Sequence, residues 1–344
     1  MNIIENTKKK LQTTEYDFLR TDIHLGNRII LLGFGGSVAY GTNTKDSDTD
    51  LRGVSLNTKR DLIGLNNNFE QFVCETTDTT IYSFNKIVQL LMNCNPNVCE
   101  LLGLKPEHYL YLSPIGQELL DNKKLFLSQR AAYTFGGYAT AQLRRLDNKA
   151  ARLTDQATQE KHILKSIQNA TIDFKRKYFD FEDDTIKLYI DTAVNDHMDS
   201  EIFMDINLHH YPLRDYKCMW SDMNTIVKDY AKVGHRNANA IEKGKLSKHM
   251  THLIRLYMMC LDILERGEIV TYREAEHDLL MDIRNGKYLD ENRQPIPEFF
   301  EMVDEYEKRF DYAKENTDLP EKPNYKAIEE FVYSVNERII KDEI

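Results

Sequence analysis

The sequence predicts an α+β chain, with a small sheet near its start and a mainly helical remainder. Two observations carry this. Strand-like runs at residues 29–32, from near Asp48 to Leu56, and within 69–83 all precede residue 84. Beyond that point apolar residues recur at helical spacing, most plainly over 129–152 and 245–266. A length of 344 residues suits two domains, or one large one, with a sizeable core.

Residues 1–26 carry Leu11, Phe18 and Leu19, which fit a short helix ended by Gly26 and packed beside the first strand. Ile29 to Leu32 are apolar and branched enough for a buried strand, and Gly33, Gly35 and Gly36 break the run just before Ser37. A second strand from near Asp48 to Leu56 would place Asp48, Asp50 and Arg52 on one face. Residues 61–68 read as a polar loop with Asn66, Asn67 and Asn68 as its turn. The Thr, Val, Ile and Tyr of 69–83 suggest a strand or hairpin.

Ser83 is a good helix cap, and Phe84, Ile87, Val88 and Leu91 form a buried stripe that Asn95-Pro96 ends. The run Asn95 to Leu102 reads as a second short helix used for packing. In 129–152, Phe135, Tyr138, Ala139, Gln142 and Leu146 share one face. Arg145, Lys149 and Arg152 make a basic stripe, either a solvated face or a contact for a phosphate backbone. Residues 153–240 are the least informative, mixing helical stretches such as 161–179 with acidic turns near Asp183. His209-His210 has no third ligand at useful spacing.

The 245–266 helix buries Leu246, Met250, Leu253, Tyr257, Cys260 and Leu264, sets Lys248, His252 and Arg255 on a separate stripe, and ends at Gly267. Further helices are expected over 274–285, closed by Gly286, over 295–314 and over 325–340.

Composition bounds the function. A net charge of −10 argues against a protein that coats nucleic acid, though not against a local basic path. The five cysteines show no C-x-x-C spacing and read as reduced packing thiols. Neither a signal peptide nor a long apolar span is read, so a cytoplasmic protein without a membrane partner is expected.

The chemistry is concentrated in residues 28–56. A glycine–serine turn can hold phosphate oxygens through its backbone N–H groups and hydroxyl, while two neighbouring carboxylates attract Mg²⁺. A P-loop would need Gly-Lys-Ser/Thr, but Val38 and Ala39 follow Ser37; a dinucleotide fingerprint counted from Gly33 fails at Val38. A bare strand-to-helix turn with two surface aspartates is the remaining structural alternative.

The order Gly35-Gly36-Ser37-x-Ala39-Tyr40-Gly41-Thr42, then Ser47-Asp48-x-Asp50-x-Arg52-Gly53, resembles the DNA polymerase β-type nucleotidyltransferase superfamily. Within it, the chain looks like the branch of predicted nucleotidyltransferases of RNA-repair pathways, most strongly over 29–104 and 205–290. The resemblance implies an N-terminal nucleotidyltransferase domain (1–125) on a small mixed sheet and a helical domain (126–344) walling the cleft. It implies that Gly35, Gly36, Ser37, Tyr40 and Arg52 bind the nucleotide, joined by Lys248, His252 and Arg255. Asp48 and Asp50 would hold Mg²⁺ or Mn²⁺.

Asp78 is the expected third catalytic carboxylate, joining Asp48 and Asp50 as a metal ligand. Asp78 and Glu75 differ by an odd number, so only one can face the other aspartates along a regular strand, and Asp78 shares its face with Thr80 and Tyr82. The implied reaction moves NMP from an NTP, ATP first, to an acceptor. RNA, such as a tRNA or an RNA 3′ end, is the first choice, with Arg145, Lys149 and Arg152 as its contact. A protein side chain, a small molecule or a catalytically silent regulatory module are the alternatives.

Overall fold

The structure is a computed structural model that describes residues 3–45, 47–65, 69–151, 161, 163–165, 167, 186–194, 200–231, 245–291 and 293–344. Five strands make the main sheet: β1 (Ile29–Phe34), β2 (Leu51–Ser55), β3 (Gln71–Cys74), β4 (Thr79–Ser83) and β5 (Tyr109–Leu112), in the order β3-β4-β2-β1-β5. β2 and β4 are parallel and the other neighbours antiparallel, so the sheet is mixed and the fold α+β.

The sheet is covered on both faces, which is why β1 is buried at every position and reads as an unbroken apolar run. Leu31 packs into a core shared with Phe84, Ile87, Leu91 and Phe126, whereas Leu32 and Phe34 join Leu19, Leu25 and Ile81. The register pairs Phe34 with Leu51 and Leu51 with Thr79, bringing the end of β1 beside the starts of β2 and β4.

Most expected elements form where the sequence places them. Ser83 Oγ accepts from Lys86 N and starts the helix Phe84–Met92; Asn95 caps Pro96–Cys99. The helices Arg130–Ala151, Lys245–Arg266, His277–Arg284, Pro297–Asn316 and Tyr325–Ile340 follow. Gly267 (φ +63°) and Gly286 (φ +86°) take up left-handed backbone after two of them, a conformation that costs glycine little.

Three local readings are corrected. The N-terminal stretch is a helix at Ile3–Lys10 followed by short turns, with Leu11 and Leu19 still buried. Within the expected loop at 61–68, a helix spans Lys59–Ile63, because Thr58 and Asp61 form a reciprocal capping box. Asn66, Asn67 and Asn68 lie outside the described residues. β2 begins at Leu51, not near Asp48, so both aspartates sit in the extended segment leading into the strand.

The chain forms two compact units. The first comprises Met1–Ala141, Thr251–Lys287 and Glu298–Ile344; the second comprises Gln142–Met250 and Tyr288–Pro297. This division departs from the cut expected after residue 125. Leu256, Met259, Cys260, Leu261, Ile263 and Leu264 belong to the same core cluster as Ile30 and Leu31, so residues 251–266 fold with the sheet.

The second unit contains a hairpin of β6 (Ile186–Thr192) and β7 (Ser200–Ile206), where only helices and turns were expected, and the helix Leu213–Ala231. Most of 161–179 lies outside the described residues. His209 and His210 are exposed, and no cluster of metal-ligating side chains occurs among the described residues. No described helix is long and apolar enough to cross a membrane.

Candidate active site

The glycine turn and the aspartate segment are built against each other. Gly35 N donates to Asp50 O at 2.9 Å, tying the end of β1 to the approach of β2. Gly36 has φ +55°, and a Cβ there would collide with Asp50 Oδ2; at Gly35 it would stand 3.0 Å from Arg52 Cγ. Glycine is therefore required at 36 for two reasons, the backbone angle and the approach of the carboxylate.

Ser37 is half-buried, and its carbonyl accepts from Thr42 N at 2.9 Å. Its hydroxyl makes no hydrogen bond with the described residues, so it is available to a ligand. The turn closes at Gly41 (φ +75°), where Tyr272 packs against the backbone and His277 Nε2 donates to Gly41 O at 3.0 Å.

Asp48 is exposed and Asp50 half-buried. Arg52, the first outward-reaching cation of β2, donates through Nη1 to Leu51 O at 2.9 Å and to Asp78 O at 3.0 Å. Those two bonds hold the guanidinium at the starts of β2 and β4, against the Leu51 and Asp78 carbonyls.

Asp78 is not a strand residue. It closes the turn between β3 and β4 with φ +49°, exposes its side chain, and accepts Leu51 N and Arg52 Nη1 through its carbonyl. The alternation argument that chose Asp78 over Glu75 needs a regular strand and so does not apply. Among the described residues no three carboxylate, His or Cys side chains stand close enough to enclose a metal.

A carboxylate the sequence reading assigned to packing does reach this region. Glu100, in the turn after Pro96–Cys99, is largely buried and lies close to the Tyr40 hydroxyl. Burial lifts its carboxyl to about 7; the charge of Asp50 adds to the rise, while Arg255, Arg52 and Tyr40 oppose it. Arg255 lies with Cζ 3.7 Å from the centre of the Tyr40 ring, a cation–π contact, and its Nη2 stands 3.1 Å from His252 Nδ1. The same burial, with Glu100 next, raises the Tyr40 phenol well above its usual value. Tyr40, Arg52, Asp50, Glu100, His252 and Arg255 thus make one electrostatically linked group within the first unit.

Other expected residues are placed differently. Lys248 is exposed on the part of its helix that belongs to the second unit. Arg145 and Lys149 lie on the helix Arg130–Ala151, with side chains outside the description, and Arg152 falls outside the described residues.

The glycine–serine turn thus abuts the aspartate segment where β1 ends and β2 and β4 begin. Residues 4–168 match the family described as RNA repair pathway DNA polymerase beta family, which bears out the resemblance read from the turn and the aspartates. An uncharacterized 38.9 kDa protein from the nrdC–mobD intergenic region of Enterobacteria phage T4 is 21% identical over 320 residues, covering 84% of this chain and 91% of the phage protein. No solved structure matches the chain.

Proposed function

We propose that this protein transfers a nucleoside monophosphate from an NTP, ATP first, to an RNA acceptor, releasing pyrophosphate. The observation that carries it is the contact between Gly36 and the Asp50 carboxylate, which puts a phosphate-holding turn and an acidic metal ligand side by side. Such contact serves one chemistry well, the handling of a metal-bound polyphosphate.

Asp48 and Asp50 fit Mg²⁺ or Mn²⁺ because these ions are commonly held by one or two carboxylates, completed by substrate phosphates and water. When bound, the ion would neutralise phosphate charge and orient the reacting oxygens. The chain's own groups do the rest. The turn N–H groups and the Ser37 hydroxyl hold terminal phosphate oxygens, and Arg52 is pinned beside them. Arg255 supplies positive charge, with Tyr40 against its face and His252 Nδ1 accepting from its Nη2. No covalent enzyme intermediate is needed, so positioning and charge carry the rate.

The choice of RNA rests on the RNA-repair description of the matching family and on the basic stripe Arg145, Lys149 and Arg152. Incubation with labelled NTPs, Mg²⁺ and separate total-RNA and total-protein extracts tests it: label in RNA is the expected result, and label only in protein would replace the acceptor.

Ser37→Ala removes one hydrogen bond to a charged phosphate and leaves the turn amides in place. The expected loss in kcat/KM is about 1.5–3 kcal/mol, roughly ten- to a hundredfold. Steady-state kinetics that show total inactivity would give Ser37 another role, such as a nucleophile.

RNA binding should weaken steeply as salt rises, because each neutralised phosphate releases counterions. Replacing Arg145, Lys149 and Arg152 by Gln together should flatten that dependence in filter-binding titrations. An unchanged slope would remove this helix from the RNA surface.

A further inference from the structure

We propose that the first unit carries a second nucleotide-binding site, a cleft that takes a nucleobase beside Asn57, Asn85 and Tyr333 and its phosphate beside Arg28 and Arg60. β2 and β4 run parallel, so Asp50 stands before the start of β2, while Asn57 and Ser83 stand where the two strands finish. Asn57 lies beyond Asp50 by roughly 20 Å of extended chain, so this cleft is distinct from the glycine turn. The inference does not rest on the transfer reading.

Two adjoining hollows make up the cleft, one of about 720 Å³ and one of about 810 Å³. Asp61 and Phe69 line both, and the neighbours Asn57 and Thr58 line one each. Asn336 and Ile339 do the same from the helix Tyr325–Ile340, about 4.5 Å apart along its axis, so one ligand can occupy both. The first hollow is walled by carboxamides. Asn57 is 5% exposed, and its Oδ1 accepts from Asn85 N at 3.1 Å. That bond identifies the oxygen and leaves the Asn57 Nδ2 donors without a partner among the described residues. Asn85 Oδ1 accepts from Asn336 Nδ2 at 3.1 Å, and the Asn85 amide nitrogen is likewise unpartnered. Asn336 Oδ1 is buried with no partner, a cost that a leucine there would not carry. Tyr333 lines the same hollow and is 69% exposed.

The free amide donors ask for acceptors, and the surrounding charge says of what kind. Glu70 and Glu337 are paired with Lys86 and Lys341, both at 2.8 Å, while Glu329 has no partner among the described residues, so the first hollow repels an anion. Ring nitrogens and carbonyls of a nucleobase are neutral acceptors, and its flat face suits the Tyr333 ring. The second hollow has the opposite character. The guanidiniums of Arg28 and Arg60 line it and make no hydrogen bond or ion pair with any described residue. The acids beside them are occupied: Asp61 accepts from Thr58 N and Oγ1 at 2.7 Å, and Asp342 pairs with Lys59. Two free guanidiniums suit a phosphate, whose oxygens accept paired N–H bonds. A neutral hollow beside a cationic one matches the two halves of a nucleotide. A free mononucleotide and one residue of an RNA strand both present that chemistry.

The test uses the full chain in EDTA, with calorimetric titration of AMP, adenosine and a short oligoadenylate, and thermal melting of the ligand-free proteins. Wild type should bind AMP at least tenfold more tightly than adenosine. Asn57→Asp keeps the bond to Asn85 N but turns the free donor into an acceptor, and should weaken AMP binding tenfold or more. Tyr333→Ala, at an exposed ring, should weaken it too, and decides for the base half if the Asp variant does not fold. Arg28→Gln combined with Arg60→Gln should bring AMP down to the level of adenosine. Oligoadenylate that binds more tightly than AMP and is weakened by the same variants assigns an RNA residue; weakening confined to AMP assigns a free nucleotide. Three results would overturn the second site: no AMP binding by wild type, AMP binding within twofold of wild type in the double arginine variant, or weakening only in variants that melt lower. AMP binding that is lost in Ser37→Ala and kept in the cleft variants belongs to the glycine turn, and overturns it as well. Absence of nucleotidyl transfer, with the cleft differences intact, would count against the transfer reading and leave the second site standing.

Discussion

Asp50→Asn and Asp48→Asn should each cut nucleotidyl transfer about a thousandfold or more, while both variants fold as stably as the parent. A thousandfold is about 4 kcal/mol of transition-state stabilisation, the scale expected when a metal-binding charge is removed from a polyphosphate site. The Asn side chain keeps the size of Asp, so Gly36 can still accommodate residue 50. Stability is preserved because the change removes an anion from a region already holding Glu100. The charge of Asp50 raises the cost of ionising Glu100, so Asp50→Asn should also let Glu100 ionise at lower pH. Single-turnover transfer with saturating NTP and Mg²⁺, beside thermal melts, checks both halves. Rates within about tenfold of wild type in both variants would refute the metal assignment.

The turn that makes this prediction possible was legible because its demands are local. Gly36 must be glycine for its φ and for the approach of Asp50, and both requirements fall within fifteen residues of sequence. The helix Lys245–Arg266 was legible for a similar reason: its apolar stripe runs unbroken to Gly267, whose left-handed backbone ends it. The same periodicity says nothing about which body the stripe packs on. Here residues 251–266 join the core beneath the sheet, and a cut after residue 125 could not foresee that.

Failures have equally specific causes. The helix Lys59–Ile63 is five residues long, too short for periodicity, and only the Thr58/Asp61 capping box announces it. The β6–β7 hairpin has alternating strands, but with one partly exposed face its pattern is weak. Asp78 looked like a strand residue because β-branched residues follow it, whereas the turn holding it needs a left-handed residue, a role that Asp tolerates. Glu100 was the costliest omission. A single Glu in a short helical run ordinarily faces water, and its partners Tyr40 and Arg255 are remote in sequence. The local hint was the company it keeps, since Val98, Cys99, Leu101 and Leu102 are all buried.

That burial gives Glu100→Gln the largest expected effect on stability. The Glu100 carboxyl is lifted from 4.5 to about 7 in the folded protein, chiefly by desolvation. A raised acid favours folding in its protonated form. Its contribution is fully present below about pH 4.5 and is lost as pH rises through about 7. At about 1.4 kcal/mol per unit, the wild-type protein should lose roughly 3.5 kcal/mol across that window relative to a variant that cannot ionise. Gln has nearly the same shape and can still pair with the Tyr40 hydroxyl, so the substitution removes the titration and little else. Chemical unfolding of both proteins at several pH values checks this. The two should be nearly equal near pH 4.5, and Glu100→Gln should be the more stable above pH 7. A stability gap that stays flat between those values would show that Glu100 does not carry the buried charge. A gap that opens in the opposite direction would show that Arg255 and Arg52 outweigh burial, making ionised Glu100 a stabilising anchor for the two arginines.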